Sequence, residues 1–438
     1  MKSFSQWRFV RETDGGLAIW GLIMVLTICV IVGLSMDVAN AYKVRSEMQV
    51  AADTAGHTAL LTRLRDGKDQ AIANAVTIGN KNLEESKASG AITAADIVFG
   101  TWDATAKVFT PDPNSTSAVM VTAQRNNARA NGVGTFLLGF VGLKAWNVTT
   151  ASVTETYRPD CLREGFVADN LIDLQSNNGF YNGFCLHSND KIQVNQNNVF
   201  DSGTVVSLPN TDNLELPASG FTKNAGLLEA LRENFYQIRI VDRIPEIIAS
   251  LASGAATYKP DYITTTTVET ISVTSNSKTF STADFVQGHM YYVSCSGNKT
   301  LKVAGNVTLK KVTVMTNCAI DFGSDNILED VVMGTTNTAD DSIKWASNFQ
   351  VGKNDHCATG GGAQLLTMGG MKSAAALMAF GAQLLAKKNI NFTANADGIE
   401  GASFISGDTV SGTSNMTMGL CKSGMEDNFE VDYYRLAY

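Results

Sequence analysis

The sequence predicts an α+β part followed by an all-β part: an N-terminal transmembrane and extended helix, a small helix-on-sheet domain, and a C-terminal parallel β-helix with a helical insertion. Three observations predict this architecture. An uncharged apolar run occupies residues 15–36, a Pro-free helical segment and strand-like patterns follow it, and a short motif recurs about every 20 residues late in the chain. With 438 residues, the chain has room for two or three domains.

The composition argues against two classes of protein. Charged residues make up 17% of the chain, against about a quarter in an average protein, and the formal net charge is −8. Nucleic-acid binding depends mainly on clustered Lys and Arg, so we expect no nucleic-acid partner. An apolar fraction of 44% with only 7 Pro also differs from the composition of disordered chains.

The uncharged run predicts a membrane span. From Gly15 to Met36 it is 22 residues long, which at about 1.5 Å per residue is enough to cross a hydrocarbon core of about 30 Å. A buried core helix and a cleaved signal peptide are the alternatives, but the first is rarely apolar on every face and the second usually has a shorter apolar region. We therefore expect a retained transmembrane anchor over residues 15–36.

Charges on either side of the span predict its orientation. Three basic residues precede it: Lys2, Arg8 and Arg11. Asp37 follows it directly, so the positive-inside rule places residues 1–14 in the cytoplasm and the bulk of the chain across the membrane. We expect a single-pass protein whose main part lies in a compartment where disulfides persist.

The helix is expected to continue beyond the membrane, because helix-forming residues without Pro extend to Gly67. Mostly small apolar side chains recur along it at spacings of three and four residues, which permits close approach of another helix. They are Val38, Ala41, Val44, Met48, Ala52, Ala55 and Ala59. The stripe is equally compatible with an intramolecular packing face and with a face for a partner helix.

Strand patterns follow the helix and complete the small domain. Residues 98–109 and 118–122 contain clustered or alternating β-branched side chains around a Pro-Asp-Pro-Asn turn, and residues 146–157 alternate as a strand does. A short apolar segment over residues 133–144 lies between them. The expected helix-on-sheet domain spans residues 37–158.

Ten residues in the N-terminal part of the chain form one pattern: Phe9, Gly15, Gly16, Asp37, Met48, Gln49, Ala51, Ala52, Asp53 and Ala55. The pattern combines a Phe-Arg-acidic-Gly start, one span, an Asp at the membrane exit and a closing Leu/Met-Gln-x-Ala-Ala-Asp-x-Ala segment. With this pattern, the chain up to Arg158 resembles the TadG-like proteins of the tight-adherence (Flp) pilus assembly system. The resemblance implies a pilin-like domain at the bacterial inner membrane, a periplasmic bulk, and partners among pilin-like subunits, other pilus assembly proteins and the outer-membrane secretin.

Two features of relatives are missing from the sequence. Prepilin-like members carry a Glu five residues after a processing Gly, whereas Trp20 and Gly21 occupy the positions that follow Gly15 and Gly16 at this distance. We therefore expect no processing by a prepilin peptidase, and the span should remain as an anchor. The Asp-x-Ser-x-Ser metal motif of von Willebrand A domains is also missing, so the resemblance implies no metal-dependent adhesion site.

A repeat predicts the architecture of residues 160–438. Gly362-Ala-Gln-Leu-Leu returns 19 residues later as Gly381-Ala-Gln-Leu-Leu and after another 20 as Gly401-Ala-Ser-Phe-Ile. Such a period, with Gly and Asn at corners and little Pro, is typical of a parallel β-helix, for which right-handed winding is the usual form. Local propensity favours an Ala-rich helix over residues 372–388 instead, but one helix would not reproduce the motif before and after it.

Two further patterns belong to this part of the chain. Between residues 170 and 198, Asn separates short apolar pairs; Asn tolerates left-handed corners, and stacked Asn side chains hydrogen-bond from coil to coil. Residues 224–253 interrupt the strand texture with apolar side chains at helical spacing. These are Leu227, Leu228, Leu231, Phe235 and Ile238. We expect a helical insertion or a cap over exposed coil edges.

Six of the seven cysteines are candidates for disulfides: Cys161, Cys185, Cys295, Cys318, Cys357 and Cys421. The first two are separated by 24 positions and the next two by 23. Each separation is close to one coil, and stacked strands lie about 4.8 Å apart, within disulfide reach. We pair them so, and Cys357 with Cys421 by elimination. Buried free thiols are the alternative for some of them, because spacing alone does not fix connectivity.

The sequence offers no motif for catalysis, a cofactor or a metal, so we expect none of these sites and no enzyme. The histidines, which are His57, His187, His289 and His356, are not paired at ligand spacing. Asp355-His356-Cys357 would contribute to a metal site only with a reduced Cys357. The competing class is a β-helix polysaccharide lyase or hydrolase, whose candidate carboxylates are Asp321, Asp325, Glu329, Asp330, Asp340 and Asp341. Solvated turn carboxylates are the simpler interpretation.

The expected function is therefore that of a structural and interaction protein. With the family resemblance, it is a membrane-anchored component of a tight-adherence pilus assembly machine. A surface adhesin or pilus-tip subunit is the alternative within the same class, and the polysaccharide-cleaving enzyme is the alternative outside it.

Overall fold

A computed structural model describes residues 14–83 and 90–438 of the chain. The basic residues on which the predicted orientation depends lie outside the described residues, as do Phe9 of the family pattern and all but the last residue of the predicted cytoplasmic segment 1–14.

The chain divides into two compact units. The first comprises Met1–Tyr157 and Asp432–Tyr438, and the second comprises Arg158–Val431. The predicted boundary near residue 158 lies at this division. The predicted end of the all-β domain at residue 438 is wrong, because the segment Asp432–Tyr438 returns to the first unit, where a short strand pairs with its sheet.

Two helices begin the first unit. Helix α1 extends over Asp14–Asp66, so the predicted span over residues 15–36 and the segment after it form one continuous helix of 53 residues. Gly67 ends α1 with a left-handed φ of 81°, a conformation that glycine adopts without steric cost, and helix α2 follows over Lys68–Lys81. The predicted continuation of the helix beyond the span is confirmed.

An antiparallel sheet completes the first unit. Its strands are β1 (Ile97–Asp103), β2 (Val108–Pro111), β3 (Ala118–Arg125), β6 (Val148–Tyr157) and the C-terminal strand Tyr433–Leu436; a separate two-stranded pair consists of β4 (Val133–Gly134) and β5 (Ala145–Trp146). The sheet order is β2-β1-β3-β6 followed by the C-terminal strand. Helix α1 packs on β3 and β6, and a shared apolar core joins both helices to the sheet.

The second unit contains 24 strands in one network whose pairings are all parallel. A first run of strands comprises β7 (Gly165–Ala168), β8 (Leu171–Leu174), β9 (Gly179–Tyr181), β10 (Cys185–Ser188), β11 (Lys191–Val194), β12 (Asn198–Phe200), β13 (Val205–Leu208), β14 (Leu214–Glu215), β15 (Asn224–Ala225) and β16 (Leu231–Glu233). A second run comprises β17 (Val268–Val273), β18 (Thr279–Phe280), β19 (Met290–Cys295), β20 (Thr300–Val303), β21 (Thr308–Thr316), β22 (Ala319–Phe322), β23 (Ile327–Thr335), β24 (Ile343–Trp345), β25 (Phe349–Val351), β26 (Ala363–Thr367), β27 (Met371–Ala386), β28 (Ile390–Ser406), β29 (Thr409–Gly412) and β30 (Thr417–Gly419). We call each set of strands that stacks on the next set a tier.

The sequence repeat sets the register between tiers. Gln364 of β26 lies opposite Gln383 of β27, which lies opposite Ser403 of β28. The three copies of the motif therefore stack residue on residue. The helical alternative for residues 372–388 is wrong, because β27 is a strand whose backbone pairs with both neighbours.

Asparagine stacking between tiers is confirmed. Asn178 and Asn198 are buried, and the backbone N–H of Asn178 donates to Oδ1 of Asn198 at 2.8 Å. The backbone N–H of Asn198 donates in turn to Oδ1 of Asn224 at 3.1 Å. Asn177 and Asn197 take left-handed φ values of 62° and 61° at equivalent corners. Buried amides thus satisfy backbone groups where the strands turn.

The spatial order of tiers differs from their order in the chain. The first run begins at β7 and ends at β16, and the second run ends with β28, β29 and β30 stacked on β7, β8 and β9. The last tier of the second run therefore docks on the first tier of the first run. The result is one continuous parallel stack with the chain's first tier in its interior.

The predicted helix over residues 224–253 is wrong in extent. Residues 224–233 instead form β15 and β16 around a four-residue helix, α4 (Leu227–Ala230), which follows another such helix, α3 (Asp160–Arg163). Gly226 has a left-handed φ of 79°, and a Cβ there would lie 1.9 Å from the carbonyl oxygen of Phe200. Parallel pairing with the preceding tier thus outweighs the local helical pattern.

The true helix, α5, covers Arg239–Ala252 and connects the two runs. Its buried face contacts β19, β21, β26 and β27, so it lies along the flank of the stack and does not cap an end. The buried residues recur at helical spacing: Ile240, Val241, Ile244, Ile247, Ile248 and Leu251.

Candidate functional site: the membrane exit and the helix face that follows it

The apolar part of α1 has the properties of a membrane span. It belongs to the one helix in the described part of the chain that is long and apolar enough to cross a membrane. Only 6% of its most apolar 18-residue stretch is buried inside the protein, whereas the core helix of a soluble protein would be mostly buried. Length, composition and exposure together indicate a membrane anchor.

Asp37, at the end of the span, holds a distant loop. Its carboxylate accepts hydrogen bonds from three consecutive backbone N–H groups: those of Phe136 (2.5 Å), Leu137 (3.2 Å) and Leu138 (2.9 Å). The side chain is buried, and Leu138 begins a 3₁₀ helix over Leu138–Val141 whose first N–H groups have no partner within the helix. The membrane-exit Asp of the family pattern is thus a structural link between α1 and the sheet side of the unit.

Replacement of Asp37 by Ala is expected to release this loop. The three N–H groups would lose a charged acceptor, and hydrogen bonds to charged groups are stronger than neutral ones. Hydrogen–deuterium exchange of the full chain in detergent micelles measures the effect. The amides of residues 136–138 should exchange slowly in the wild type, fast in Asp37→Ala and at an intermediate rate in Asp37→Asn. The amides of β3 should stay unchanged. Unchanged protection at residues 136–138 in Asp37→Ala would contradict the link.

The closing segment of the family pattern packs inside the unit. Met48, Ala51, Ala52 and Ala55 are fully buried. A Cβ placed on Gly79 of α2 would lie 2.9 Å from the Cβ of Ala55, so the two helices touch where both residues are small.

The polar residues of that segment support the same contact. Nε2 of Gln49 donates to Oδ1 of Asp53 at 2.8 Å and to the carbonyl oxygen of Ala151 on β6 at 3.3 Å. The motif therefore encodes the packing of α1 on α2 and on the sheet.

The predicted partner-helix face is, for the most part, wrong as a partner face. Met48, Ala52, Ala55 and Ala59 are buried within the unit's own core, which removes them from any partner. Val38 and Ala41 are half-buried and line a groove of about 400 Å³ together with Trp146. The intramolecular alternative holds because α2 and the sheet already cover the stripe.

All three predicted disulfides are confirmed. Cys161 pairs with Cys185, Cys295 with Cys318, and Cys357 with Cys421, with Cα–Cα distances of 5.0, 5.4 and 5.9 Å. The bridge between Cys295 and Cys318 joins neighbouring tiers, whose register offset is also 23 residues. The bridge to Cys185 starts from helix α3, because Cys161 precedes β7 and the residue in register with Cys185 is Gly165. Cys29 is a free thiol on the exposed surface of the span.

Most of the candidate carboxylates form salt bridges with Lys or accept hydrogen bonds from neighbouring loops. Glu329 pairs with Lys310 at 2.7 Å, Asp340 with Lys388 at 2.7 Å, and Asp341 with Lys344 at 3.5 Å. Asp325 accepts from Asn348 at 2.8 Å and Asp330 from the N–H of Gly361 at 2.6 Å. Asp321 lies in register with Lys302 and Lys344.

Two further sets of residues resemble a metal site or an acidic cluster more closely than the carboxylates above. Cys357, Glu400 and Cys421 have ligand atoms within 4.8 Å of one another, but the two sulfurs form a disulfide and supply no thiolate ligands. Burial and then the charges of Asp330, Asp261 and Glu426 raise the pKa of Asp427. No set of three carboxylates in the described part of the chain approaches within that ligand distance.

His187 lies in a buried polar group of the second unit. Its Nδ1 is 2.8 Å from Oγ of Ser207, and its Nε2 is 2.9 Å from Oδ1 of Asn189. Ser, His and a carbonyl or carboxylate partner also form hydrolytic triads. Here Ser207 and His187 are 0% exposed, which leaves no route for a substrate to the hydroxyl. The group satisfies polar atoms between neighbouring tiers.

The buried imidazole predicts a pH dependence of stability. Burial lowers the pKa of His187, although its bonds to Asn189 and Ser207 and the charge of Asp169 act in the opposite direction. The unfolded chain, with a His pKa of about 6.5, then takes up a proton that the folded chain excludes. The free energy of unfolding should fall by up to about 1.4 kcal/mol per pH unit as the pH drops from about 6.5 toward the lower folded pKa.

Urea unfolding of the wild type and of His187→Gln over a pH series measures this effect. The variant should show a flatter acid-side decline, because Gln keeps a polar side chain and does not titrate. Equal slopes in the two proteins would contradict the assignment to His187.

The sequence marks Asp37 as a motif position but does not indicate that it holds a distant loop. The three amides that it binds lie 99 to 101 residues away in the chain, and backbone donors leave no trace in the sequence. The apolar character of residues 133–144 is the sequence signal that indicates a contact with this segment.

Comparison with protein families agrees with this division of the chain. Residues 15–60 match the family described as putative Flp pilus-assembly TadE/G-like, a range that contains the span, Asp37 and the buried closing segment. Residues 165–422, more than half of the chain, match the family described as a domain of unknown function (DUF7867). Neither a comparison with curated proteins nor one with solved structures gives a match. The chain therefore belongs to the DUF7867 family, and its residues 15–60 are similar to the TadE/G-like proteins.

Proposed function

We propose that this chain is a structural component of a Tad pilus assembly machine, held in the bacterial inner membrane by α1 with its N-terminus in the cytoplasm and its bulk in the periplasm. The observation that carries the proposal is the coincidence of the TadE/G-like match with an exposed apolar helix and a buried family motif. Because α1 continues past the span without a break, from Asp37 to Asp66, a retained anchor fits better than a cleaved signal peptide.

The first unit fits the role of a pilin-like domain. A long helix that leaves the membrane and packs on an antiparallel sheet is the arrangement that the family resemblance implies. The second unit fits a parallel β-helix, since each strand pairs in parallel with strands one tier away and the tiers enclose one apolar core.

A scaffold role accounts for the remaining features. The three disulfides suit an oxidising compartment, and the stacked tiers form a stable extended surface. Pilin-like subunits and the outer-membrane secretin are the proposed partners of this scaffold. Most of the candidate catalytic carboxylates form salt bridges with Lys or accept hydrogen bonds from loops, which favours a non-enzymatic role.

Genetic complementation tests the proposal. Deletion of the gene should abolish surface pili, and the full chain should restore them. A matched version with residues 15–36 replaced by a cleavable secretory signal should fold and accumulate in the periplasm but fail to restore pili. Normal piliation in the deletion strain, or full rescue by the secreted version, would overturn the membrane-anchored assembly role.

A further inference from the structure

A hairpin loop of the first unit presents apolar side chains to its surroundings. Strands β4 and β5 form its base, and the hydroxyl of Thr135 closes it by donating to the carbonyl oxygen of Leu143. Phe136 is 63% exposed, Leu137 38% and Leu143 49%. Three large apolar side chains are exposed on one short loop, and an exposed apolar patch of this kind indicates a contact with a membrane or with another protein.

Two contacts fix this loop against the end of the span. Asp37 binds its backbone at Phe136 and the next two residues. In addition, Leu137 packs on Gly33, where a Cβ would lie 2.6 Å from the Cβ of Leu137. Within residues 22–36 of the span, Gly33 is the buried position.

The contact with Gly33 determines the depth of the loop. Gly33 lies three residues before Met36, the last residue of the uncharged run, so the loop overlaps the span by about 5 Å along the helix axis. Apolar groups buried by about 5–10 Å lie at the boundary between lipid headgroups and acyl chains. The loop therefore starts at a depth at which lipid, not water, is its neighbour.

Neighbouring residues suit the same environment. Leu34 and Met36 are exposed on α1 beside the loop contact, so the apolar surface of the loop is continuous with that of the span. Lys144 is exposed directly after Leu143 and is long enough to place its ammonium group among headgroups. Tyr42 is exposed at 69% further along α1, and aromatic residues of this kind concentrate at membrane interfaces.

We propose that residues 135–144 form a second membrane contact, which inserts Phe136 and Leu143 into the lipid interface of the leaflet that α1 leaves at Asp37. The inference rests on the proposed membrane anchor. A single helix leaves the attached unit free to rotate about the helix axis, whereas a helix and an inserted loop fix its rotation and tilt. The loop would thus orient the first unit on the membrane surface for assembly with its partners.

Fluorescence quenching by brominated lipids tests this contact in the full-length chain. The six disulfide cysteines do not react with thiol-specific labels, so an environment-sensitive fluorophore on Cys29 reports the span itself. Phe136→Cys and Leu143→Cys, each with Cys29→Ser, report the loop. Val108→Cys in the same background is the matched control, because Val108 is 52% exposed on strand β2 of the same unit. The vesicles contain phosphatidylethanolamine and phosphatidylglycerol, with acyl chains brominated near the headgroup or near the methyl end.

The expected result is a graded loss of emission. Lipids brominated near the headgroup should quench both loop positions strongly, Cys29 should be quenched by acyl bromines, and Val108→Cys should be insensitive to either lipid. Addition of Gly33→Leu, which displaces Leu137, should reduce quenching at Phe136→Cys and leave Cys29 quenched.

Three results would overturn the inference. If Cys29 is quenched while both loop positions behave like Val108→Cys, the loop does not reach lipid and the anchor survives. If the loop positions are shielded from lipid and also from aqueous iodide, a protein surface, such as a second copy, covers the loop. If Cys29 itself is not quenched, the proposed anchor fails and the loop contact fails with it.

Discussion

Replacement of Phe166 by Ala is expected to lower the free energy of unfolding of the second unit by about 3–5 kcal/mol. Phe166 is fully buried in β7, which pairs with β28 on one side and with β10 on the other. Its ring stacks on Phe404 with centroids 5.0 Å apart and meets Phe184 edge-on at 5.0 Å. The substitution would open a cavity at the seam where the two runs of strands meet.

Urea unfolding of the full chain in detergent micelles, followed by circular dichroism, measures the effect. Val199→Ala is the matched control, because Val199 is 42% exposed on β12 and its truncation should change stability by no more than about 0.5 kcal/mol. The double variant Phe166→Ala/Phe404→Ala should show a coupling of about 0.5–1.5 kcal/mol between the stacked rings. A loss at Phe166 as small as that at Val199 would contradict the packed seam.

Removal of the Cys357–Cys421 disulfide should cost about 4 kcal/mol, more than the cost of about 3 kcal/mol for Cys295–Cys318, in the chain-entropy account of cross-links. The reason is the loop length, since the first bridge closes 64 residues and the second 23. The longer loop contains the five strands from β26 to β30, so its release frees more of the unfolded chain.

Paired alanine variants, Cys357→Ala/Cys421→Ala and Cys295→Ala/Cys318→Ala, make the comparison without leaving a lone thiol. Unfolding midpoints measured in the same detergent should rank wild type first, the variant without the shorter bridge second and the variant without the longer bridge last. The reverse order of the two variants would show that local packing, not chain entropy, determines the contribution of each bridge.

The repetitive parts of the fold could be predicted because short motifs and residue spacings within one stretch of sequence determine them. The GAQLL motif at Gly362 recurs at Gly381, and this repeat predicts which residues of neighbouring strands pair. In the structure the two copies lie opposite each other. The separation of 23 residues between Cys295 and Cys318 equals one tier, and the separation of 24 between Cys161 and Cys185 is close enough to one tier to predict that bridge as well. The long uncharged run likewise predicts an exposed apolar helix without reference to any distant residue.

Long-range order could not be predicted from such patterns. Ser403 and Gly165 lie in register between β28 and β7, although these strands belong to opposite ends of the second unit's sequence. Nothing in either strand indicates that the last tier docks on the first. The C-terminal strand Tyr433–Leu436 is four residues long, too short for its pairing with β6 to leave a pattern.

The errors at the site have a common physical cause. A stripe of small residues such as Ala52 and Ala55 permits close helix packing, but the sequence does not say whether the packed helix belongs to the same chain. The structure assigns this role to α2 and the sheet. The helical spacing around Leu228 and Phe235 was equally misleading, because these side chains are 64% and 63% exposed and the backbone between them pairs with the stack.

Cell fractionation distinguishes a membrane-retained assembly component from a part of the pilus. Piliated cells are sheared, and the full-length chain is followed by antibody in the sheared pili, the outer membrane and the inner membrane, with carbonate extraction of the last. We expect full-length protein in the carbonate-resistant inner-membrane fraction and none in the pili. Recovery of the full-length chain in sheared pili, away from the inner membrane, would contradict this expectation and favour a surface adhesin or pilus-tip subunit.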